Sequence, residues 1–333
     1  MNKNPSAASA DRPGAHVSPR CEGCGRGVTS TDILEARMSP QREGRGSDVA
    51  NAGAGTLLRC PVCGGELAQD ERGARCQAGH CFDRAREGYL NLLRTSKRGD
   101  GMGDPKASAR SRRDFLDHGY YEPLRAALVE EVVDLAREKT GFAAPSRSTE
   151  APLALLDICC GEGYYTSALG AIPGVDAYGF DLSKEMVRLA AKRGGASYFV
   201  ANLKAIPVAG GSFDVATHLF APFNEREFAR VVRPGGTLLT VVPGARHLFG
   251  LKQAVYDTPY LNDERLPRTE LFEHVETRRV SAEVELASSQ DIEAVFQMTP
   301  YYYRTSPRDR AKLDGLQTLR TDLDFLIAVY RRL

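Results

Sequence analysis

The sequence predicts an α/β protein with a largely parallel sheet, preceded by a small metal-binding module. Three observations predict this arrangement. Cys and His residues stand at zinc-ribbon spacing from residue 60, strand and helix patterns alternate from residue 153, and a glycine-containing turn follows the first of those strands. The length of 333 residues allows two domains, because single hydrophobic cores rarely grow past roughly 250–300 residues.

The metal-binding module is predicted from Cys60, Cys63, Cys76 and His80, which read C-P-V-C, twelve intervening residues and C-Q-A-G-H. A zinc ion takes four thiolate or imidazole donors in a tetrahedron, and two short turns joined by a hairpin supply that arrangement. We therefore expect a zinc ribbon over residues 57–95. Eight cysteines in an intracellular chain of this length fit metal ligands and small core residues better than a disulfide framework.

Residues 1–52 are rich in Ser, Ala, Gly, Pro and Arg, and their apolar residues are too scattered to form a packing face. Their burial cannot offset the entropy of ordering the chain, so we expect a disordered extension. Within it, Cys21 and Cys24 form a second C-x-x-C. No Cys/His pair remains to complete a site with them, apart from the single Cys81, so we interpret this motif as incidental.

Charge and hydropathy exclude some classes of partner. The chain has 44 Lys and Arg against 43 Asp and Glu, so its net charge of +1 gives no global attraction to nucleic acid. No stretch approaches the roughly 18–20 continuous apolar residues of a membrane span, and the N-terminus lacks the apolar core of a signal peptide. We expect a cytoplasmic protein without a membrane partner.

A local basic stretch follows the ribbon. From Arg84 to Arg113 the chain carries nine Lys or Arg residues and three acids, with several glycines in the middle. We expect a basic flexible linker at residues 96–112. One interpretation is an ordinary solvated charge run; the other is a strip in which Arg94, Lys97 and Arg98 contact RNA phosphates beside the ribbon.

Residues 113–333 carry the pattern of a doubly wound domain. Strand candidates alternate with helical stretches, two helices over 108–139 with a bend at 118–122 precede them, and a Pro-Gly-Gly turn at 234–236 reverses the chain before the fifth strand. An antiparallel pair at 275–286 and 323–330 would complete a mostly parallel seven-stranded sheet. The five parallel strand candidates are Leu153–Ile158, Asp176–Phe180, Tyr198–Ala201, Val215–Phe220 and Thr237–Val242.

The turn after the first strand predicts the cofactor. Asp157 ends that strand, Gly161 and Gly163 follow, and Asp181 stands at the end of the second strand, where a carboxylate can accept both ribose hydroxyls. A dinucleotide site shares this acid but normally reads G-x-G-x-x-G, and Thr166 occupies the last position. The sequence therefore favours a Rossmann-like S-adenosylmethionine-dependent methyltransferase fold, with a dinucleotide site as the alternative.

Eight segments in order along the chain carry a family resemblance: C-P-V-C-G-G-E-L, G-H-C-F-D-R-A-R-E-G-Y-L-N-L-L, R-R-D-F-L-D-H-G-Y-Y-E-P-L, D-I-C-C-G-E-G-Y-Y-T, F-A-P-F, R-V-V-R-P-G-G, P-G-A-R-H-L and Q-M-T-P. From about Leu58 to its end, the chain resembles the bacterial 23S ribosomal RNA guanine-N1 methyltransferases. That family includes related methyltransferases that confer macrolide resistance. So many ordered motifs across two domains make coincidence a poor explanation.

The resemblance implies methyl transfer from S-adenosylmethionine to N1 of one guanine in a 23S rRNA hairpin, offered as RNA or in a ribosomal particle. It implies that Cys60, Cys63, Cys76 and His80 hold Zn²⁺. We expect the ribbon to recognise RNA, because a lone guanine offers too little surface to select one site. With the turn residues that match the family, the predicted donor-binding set is Tyr121, Asp157, Gly161, Glu162, Gly163, Asp181, Asn202 and His247.

One position departs from the family, because Cys159 stands where its members commonly have glycine. A positive φ there would cost about 1 kcal/mol or more, and we expect instead a negative φ with the sulfur packed beneath the turn. Phe220 to Asn224, after the fourth strand, could stack on a flipped base or could be a rigid loop with both phenylalanines packed inward. No proton acceptor is assigned, and Glu225 stands only as a hypothesis.

Two rival functions remain at the level of sequence. One is an RNA-binding protein that lost transferase activity through Cys159, which a measurement of donor binding would separate from an enzyme. The other is a small-molecule methyltransferase with a stabilising zinc module, which would ignore RNA. The sequence also leaves open a homodimer in which two chains form one RNA groove.

Overall fold

The computed structural model describes residues 57–93, 106–140 and 151–333; the predicted extension at 1–52, with Cys21 and Cys24, lies outside them. The chain first forms a small antiparallel sheet in the order β1-β2-β3. A short fourth strand, β4, leaves this module for a second, larger sheet. These four strands are β1 (Ala68–Gln69), β2 (Gly73–Arg75), β3 (Cys81–Asp83) and β4 (Leu90–Asn91).

The larger sheet has eight strands in the order β10-β11-β9-β8-β5-β6-β7-β4. The ladders from β9 to β4 are parallel, whereas β11 pairs antiparallel with both β9 and β10. The seven predicted strands and the antiparallel edge pair are therefore confirmed, and β4 adds an eighth. The remaining strands are β5 (Leu153–Ile158), β6 (Val175–Asp181), β7 (Ser197–Val200), β8 (Phe213–Leu219), β9 (Val232–Pro243), β10 (Phe272–Leu286) and β11 (Leu319–Arg332).

Helices cover the sheet because each buries one apolar stripe against it. The two helices predicted before the first strand are present, and the bend between them contains Gly119 at φ 81°. None of the described helices is long and apolar enough to cross a membrane. The helices are α1 (Lys106–Asp117), α2 (Glu122–Thr140), α3 (Tyr164–Gly170), α4 (Lys184–Arg193), α5 (Glu225–Val231), α6 (Phe249–Val255), α7 (Ser289–Gln297) and α8 (Pro307–Arg310).

The prediction of a flexible linker over 96–112 is wrong from Lys106 onward, where α1 begins. This helix is polar on average, yet Ala109, Phe115 and Leu116 are buried against the rest of the molecule. Tertiary packing stabilises this helix, which the apolar pattern from Ser108 onward predicted. Arg94, Lys97 and Arg98, the predicted phosphate contacts, lie outside the described residues.

The Pro-Gly-Gly segment lies within β9 and distorts it, whereas the sequence predicted a turn before that strand. Val232 pairs with Phe213, but the next pair along the ladder joins Thr237 to Val215, so the segment between them leaves the regular register. A side chain at Gly236 would stand 2.8 Å from the Asp214 carbonyl oxygen, a distance that only glycine permits.

The zinc module and the methyltransferase sheet share one core, contrary to the predicted separation at 57–95 and 113–333. Parallel pairing of β4 with β7 joins Leu90 to Phe199, and an antiparallel bridge joins Leu58 to Val208. All four side chains belong to one buried hydrophobic cluster. The ribbon is therefore fixed to the edge of the sheet at two places.

Candidate functional site

The four predicted metal ligands converge in the ribbon, and their donor atoms all lie within 4.8 Å of one another. Sγ of Cys63 is 3.6 Å from Sγ of Cys76, and Nδ1 of His80 is 3.6 Å from Sγ of Cys60 and 3.3 Å from that of Cys76. A tetrahedron with 2.3 Å zinc–sulfur bonds has edges of about 3.8 Å. Three thiolates and one imidazole at this spacing fit Zn²⁺.

Two backbone turns present these ligands. In the first, the Gly64 N–H donates to the Cys60 carbonyl at 2.8 Å, and in the second, the Gly79 N–H donates to the Cys76 carbonyl at 3.0 Å. Both glycines have positive φ, 76° and 85°, which a residue with a side chain adopts only at a cost. The two turns bring both halves of the motif to one point.

A cavity of about 400 Å³ lies at the carboxyl ends of the parallel strands, within the size range of small-ligand sites. Ligands of open α/β sheets bind at this edge. Six of the eight predicted donor-site residues line the cavity: Tyr121, Asp157, Gly161, Glu162, Asp181 and Asn202. The other two, Gly163 and His247, do not line the cavity, and their contacts are described below.

Asp157 is buried at the end of β5, and both of its carboxylate oxygens accept hydrogen bonds from threonines. Thr166 Oγ1 donates to Oδ2 at 2.5 Å and Thr217 Oγ1 donates to Oδ1 at 2.8 Å. Burial raises the pKa of Asp157 to about 6, and the nearby charge of Asp181 adds to this rise, while the two threonine bonds oppose it. Thr166, which stands where a dinucleotide motif has glycine, therefore orients this carboxyl group.

The turn after β5 has the positive φ that the sequence analysis did not expect. Cys159 adopts φ 59°, so the prediction of a negative φ is wrong. Its side chain lines the cavity, and burial raises the thiol pKa to about 12, so the sulfur stays protonated. The cavity accommodates this sulfur and remains about 400 Å³ in volume.

Asp181 is held against the same turn. Its Oδ2 accepts from the Gly161 N–H at 3.1 Å and its Oδ1 accepts from the Ser183 N–H at 2.8 Å. These bonds fix the carboxylate where β6 ends. The position is the one from which an acidic residue binds ribose hydroxyls in this class of fold.

Glu162 fastens the turn to the surrounding helices. Its buried carboxylate pairs with Arg193 at 2.5 Å, and Arg193 also pairs with Asp117 at the end of α1. Burial raises the pKa of Glu162, against the lowering effect of Arg193. Gly163 has a related packing role, because a Cβ there would lie 2.9 Å from the Ala190 Cα, where α3 passes α4.

Tyr121 and His247 form a pair beside the cavity. Asp324 donates its backbone N–H to His247 Nδ1 at 3.4 Å, so the neutral ring carries its proton on Nε2, which lies 3.3 Å from the Tyr121 hydroxyl oxygen. Burial lowers the pKa of His247 to about 3, which keeps the ring neutral. His247 therefore orients Tyr121, and it is Tyr121 that faces the cavity.

The two phenylalanines after β8 behave differently. Phe220 lines the cavity, is 48% exposed and has φ 54°, whereas Phe223 packs inward against His218 and Phe228. Asn224 caps α5 and donates Nδ2 to the Leu203 carbonyl at 3.2 Å. Phe220 therefore fits the interpretation of a surface on which a base can stack, and Phe223 fits that of a rigid loop packed inward.

Glu225 does not behave as a free base. Its Oε1 accepts hydrogen bonds from the Thr269 hydroxyl and from the backbone N–H groups of Glu270 and Leu271. These bonds, led by that from Thr269, lower its pKa. The carboxylate therefore anchors residues 269–271, and the hypothesis that it accepts a proton has no geometric support.

Sequence reasoning missed several polar residues that line the cavity, among them Arg112 and Tyr165. Tyr165 has a buried hydroxyl without a hydrogen-bond partner among the described residues. A buried hydroxyl left unpaired is costly, which indicates a ligand that completes its bonding. Tyr165 follows the glycine turn and could have been found from that position, whereas Arg112 stood within the predicted linker.

Comparison with known proteins yields matches over both parts of the chain. Residues 58–98 match the zinc-ribbon model described as "RlmA, N-terminal", and residues 155–236 match a model described as "Methyltransferase domain". The chain is 36% identical over 201 residues to the 23S rRNA (guanine(748)-N(1))-methyltransferase of Streptomyces fradiae, which covers 60% of this chain and 67% of the relative.

Two further relatives are candidate 23S rRNA (guanine-N(1)-)-methyltransferases by name. The first, from Micromonospora griseorubida, is 38% identical over 206 residues, which cover 58% of this chain and 68% of the relative. The second, YxjB of Bacillus subtilis, is 31% identical over 294 residues, which cover 82% of this chain and 97% of the relative. The similarity to YxjB therefore spans nearly the whole length of that protein.

Proposed function

The chain belongs to the RlmA-like family of 23S rRNA (guanine-N1)-methyltransferases, and we propose that the cavity at the carboxyl edge of its sheet carries out their reaction. The protein is an S-adenosylmethionine-dependent enzyme that methylates a guanine of 23S rRNA, and its cofactors are S-adenosylmethionine and Zn²⁺. The observation that carries the proposal is the convergence of Asp181, the glycine turn and Tyr121 on one cavity of ligand size.

We propose that the donor-binding residues divide between two ends of the cavity. Asp181, braced by two backbone N–H groups, would accept the ribose hydroxyls, and Asn202 would stand at the nucleoside end. Tyr121 would place its ring against the cationic sulfonium or the methionine chain. Asp157, Glu162, Gly163 and His247 would hold these groups in position through the contacts described above.

We propose that Arg112 and Tyr165 bind the α-carboxylate of the donor. Both line the same cavity as Tyr121. A guanidinium and an otherwise unpaired hydroxyl are suited to a carboxylate. Among the described residues, no other Lys or Arg lines the cavity.

Calorimetry with two ligands tests this assignment. Wild-type protein should bind S-adenosylmethionine about 10- to 100-fold more tightly than its decarboxylated analogue, because a hydrogen-bonded charge contributes about 1.5–3 kcal/mol. Arg112→Gln and Tyr165→Phe should lose affinity for the first ligand and much less for the second. Equal losses for both ligands would contradict the assignment.

The acceptor must reach the cavity as an unpaired base. N1 lies on the Watson–Crick edge of guanine, so a paired guanine has to be extruded from the hairpin. Phe220 presents an exposed aromatic ring at the cavity, on which such a base can stack. When bound, S-adenosylmethionine supplies an already activated methyl group, so the work left to the chain is to align N1 with it and to exclude water.

Reverse transcription tests the reaction and its site together. Purified zinc-loaded protein is incubated with labelled donor and 23S rRNA lacking the modification, either free or in ribosomal particles. Methylation of N1 blocks base pairing, so we expect label in the RNA and one polymerase stop at a guanine. Phe220→Ala should reduce incorporation while donor affinity stays within about 2-fold. Incorporation into small molecules only, or donor binding without transfer, would overturn the proposal.

Three narrower expectations stay proposals. We propose that the ribbon takes part in RNA recognition, and that Arg94, Lys97 and Arg98 contribute phosphate contacts; their replacement by Ala should weaken RNA binding and its salt dependence while donor affinity is unchanged.

We also propose a cytoplasmic location, where ribosomes are found. A homodimer is testable by light scattering of the zinc-loaded protein.

A further inference from the structure

A groove of about 750 Å³ runs between the zinc ribbon and the methyltransferase sheet, separate from the donor cavity. One wall is the first zinc turn, with Cys60, Pro61 and Gly64. The opposite wall is the segment 204–210 that follows β7, together with α5. Of the residues given donor-binding roles above, Asn202 alone also lines this groove.

The two walls are held in fixed positions by hydrogen bonds. The Arg59 N–H donates to the Pro207 carbonyl at 2.8 Å, and the Ala209 N–H donates to the Leu57 carbonyl at 2.8 Å. From the other side, the Arg230 guanidinium donates to the carbonyls of Ile206 and Val208. The groove is therefore preformed, and an occupant does not have to order it.

The charge of the groove favours an anionic occupant. Among its described lining residues, Glu227 and Arg230 pair with each other and cancel. Of the other two charged lining residues, Arg59 pairs with Glu66 at 3.3 Å, and Lys204 has no ion pair among the described residues. Lys204 is exposed, and its ammonium group can approach a phosphate from solvent.

The groove adjoins the site where the base would be methylated. Asn202 lines both the donor cavity and the groove. The loop that begins with Phe220 is tied to this junction, since Asn224 donates to the Leu203 carbonyl and Lys204 is the next residue. An RNA strand whose base is stacked on Phe220 can therefore continue directly into the groove.

We propose that this groove binds the RNA backbone of nucleotides flanking the target guanine, with Lys204 on a phosphate. The proposal rests on the methyltransferase function given above. It assigns the junction of ribbon and sheet to the strand next to the reacting base, so that one rigid surface sets the distance between the flanking phosphates and the donor cavity.

Charge substitution at Lys204 tests the proposal. Binding of an unmodified 23S rRNA hairpin is measured by fluorescence anisotropy over a series of salt concentrations. Lys204→Ala should weaken binding about 5-fold and Lys204→Glu by more, and the salt slope should fall by about 0.7–0.9 for the lost phosphate contact. Lys192→Glu, at an exposed position on α4 outside the groove, is the matched control and should change binding little.

Crosslinking supplies a second measurement on the unmodified protein. A hairpin with 4-thiouridine next to the target guanine is irradiated in complex with the zinc-loaded chain, and crosslinked peptides are identified by mass spectrometry. Crosslinks within 59–64 or 204–210 support the proposal, and crosslinks confined to other surfaces overturn it.

The two proposals fail in different ways. If wild-type protein methylates the hairpin but Lys204→Glu keeps its RNA affinity and salt slope, the groove assignment is overturned while the enzyme function stands. If wild-type protein methylates no rRNA guanine, the enzyme function itself is overturned. Calorimetry of S-adenosylmethionine binding to Lys204→Glu should match the wild type, which confirms that the donor cavity is intact.

Discussion

Cys159 holds a backbone conformation that glycine would hold at lower cost. At φ 59° its Cβ crowds the following carbonyl, which for a residue with a side chain costs about 1–2 kcal/mol. The sulfur nevertheless contacts a buried cluster and lines the donor cavity. The chain therefore tolerates backbone strain at a position where the resemblance to the family predicts glycine.

A substitution series at this residue measures the strain. Cys159→Gly should raise the free energy of unfolding by about 0.5–1 kcal/mol, which is the relief of the positive φ less the greater entropy of glycine in the unfolded chain. Cys159→Val should lower it by more than about 1 kcal/mol, because a β-branched residue fits this region poorly. Cys159→Ala is the control. A glycine variant less stable than the alanine variant would contradict the strain.

His247 predicts a specific dependence of stability on pH. Its folded pKa of about 3 lies below the ordinary value of 6.5, so between these values the unfolded chain binds a proton that the folded chain does not. The free energy of unfolding should therefore fall as pH is lowered through this window, by up to about 1.4 kcal/mol per pH unit. Urea titrations of wild type and His247→Gln should differ by this slope.

Asp157 acts in the opposite direction over part of the same range. Its folded pKa of about 6 lies above the ordinary value, so the folded chain retains a proton between about pH 4 and 6 and is favoured as pH falls. Only the difference between wild type and variant isolates His247. The exposed His274, changed to Gln, is the matched control, and a slope difference no larger than this control would refute the assignment.

At the scale of elements, the loop after β8 is held by hydrogen bonds at its carboxyl end. Asn224 caps α5 and bonds to Leu203, while Glu225 anchors residues 269–271 ahead of β10. This arrangement leaves Phe220 exposed at the cavity and turns Phe223 inward. The aromatic face offered to a base is thus set by capping and anchoring, with Phe223 filling the core below.

Glu225→Gln separates anchoring from proton transfer. Loss of the charged acceptor should lower the free energy of unfolding by about 1–2 kcal/mol, since three hydrogen bonds converge on one oxygen. The single-turnover methylation rate should stay within about 2-fold of wild type. A loss of 100-fold or more would instead identify Glu225 as a general base. Glu273→Gln, at an exposed position on β10, is the control.

Local patterns predicted the elements, and their partners were harder to predict. The zinc ligands and β5 follow from spacing and apolar runs, and both match the structure. The helix predicted from Ser108 begins at Lys106, whereas the pairing of β4 with β7 joins segments over 100 residues apart, which no local pattern predicts. The positive φ of Cys159 follows from the turn around Gly161, whereas the residue type alone predicts a negative φ.

The donor site was predictable to a similar extent. Glycine and acid positions along the strands predicted Gly161, Glu162 and Asp181, which line the cavity. Tyr165 and Arg112 were missed because their importance lies in an unpaired hydroxyl and in a helix that folds over the turn, and neither is visible in residue spacing. His247 was predicted beside the donor, and it instead supports Tyr121 from behind.

At the scale of the whole molecule, metal binding should stabilise more than the ribbon. Leu58, Leu67, Leu90 and Leu92 are buried in the cluster that also contains Ile206 and Val208. Each fully buried side chain of this kind contributes about 1.5–3 kcal/mol. Loss of zinc therefore exposes one flank of the methyltransferase core as well as the metal turns.

Chelation tests this coupling. Removal of zinc should lower the melting temperature of the whole chain by about 5–15 °C, and the zinc-loaded protein should unfold in one calorimetric transition. Below the melting temperature, affinity for S-adenosylmethionine should change little, because no ribbon residue lines the donor cavity among those described. Two independent transitions, or an unchanged melting temperature, would show that the parts fold separately.

The attachment of the ribbon through β4 and through Leu58 has a consequence for engineering. A chimera that exchanges this module between relatives cannot cut the chain at His80, since β4 lies beyond that ligand and pairs with β7. The Arg59 N–H also donates to the Pro207 carbonyl, which lies outside the module. A workable graft has to carry residues 57–93 together with a matching 204–210 segment, so the exchange has to be made in two pieces of chain.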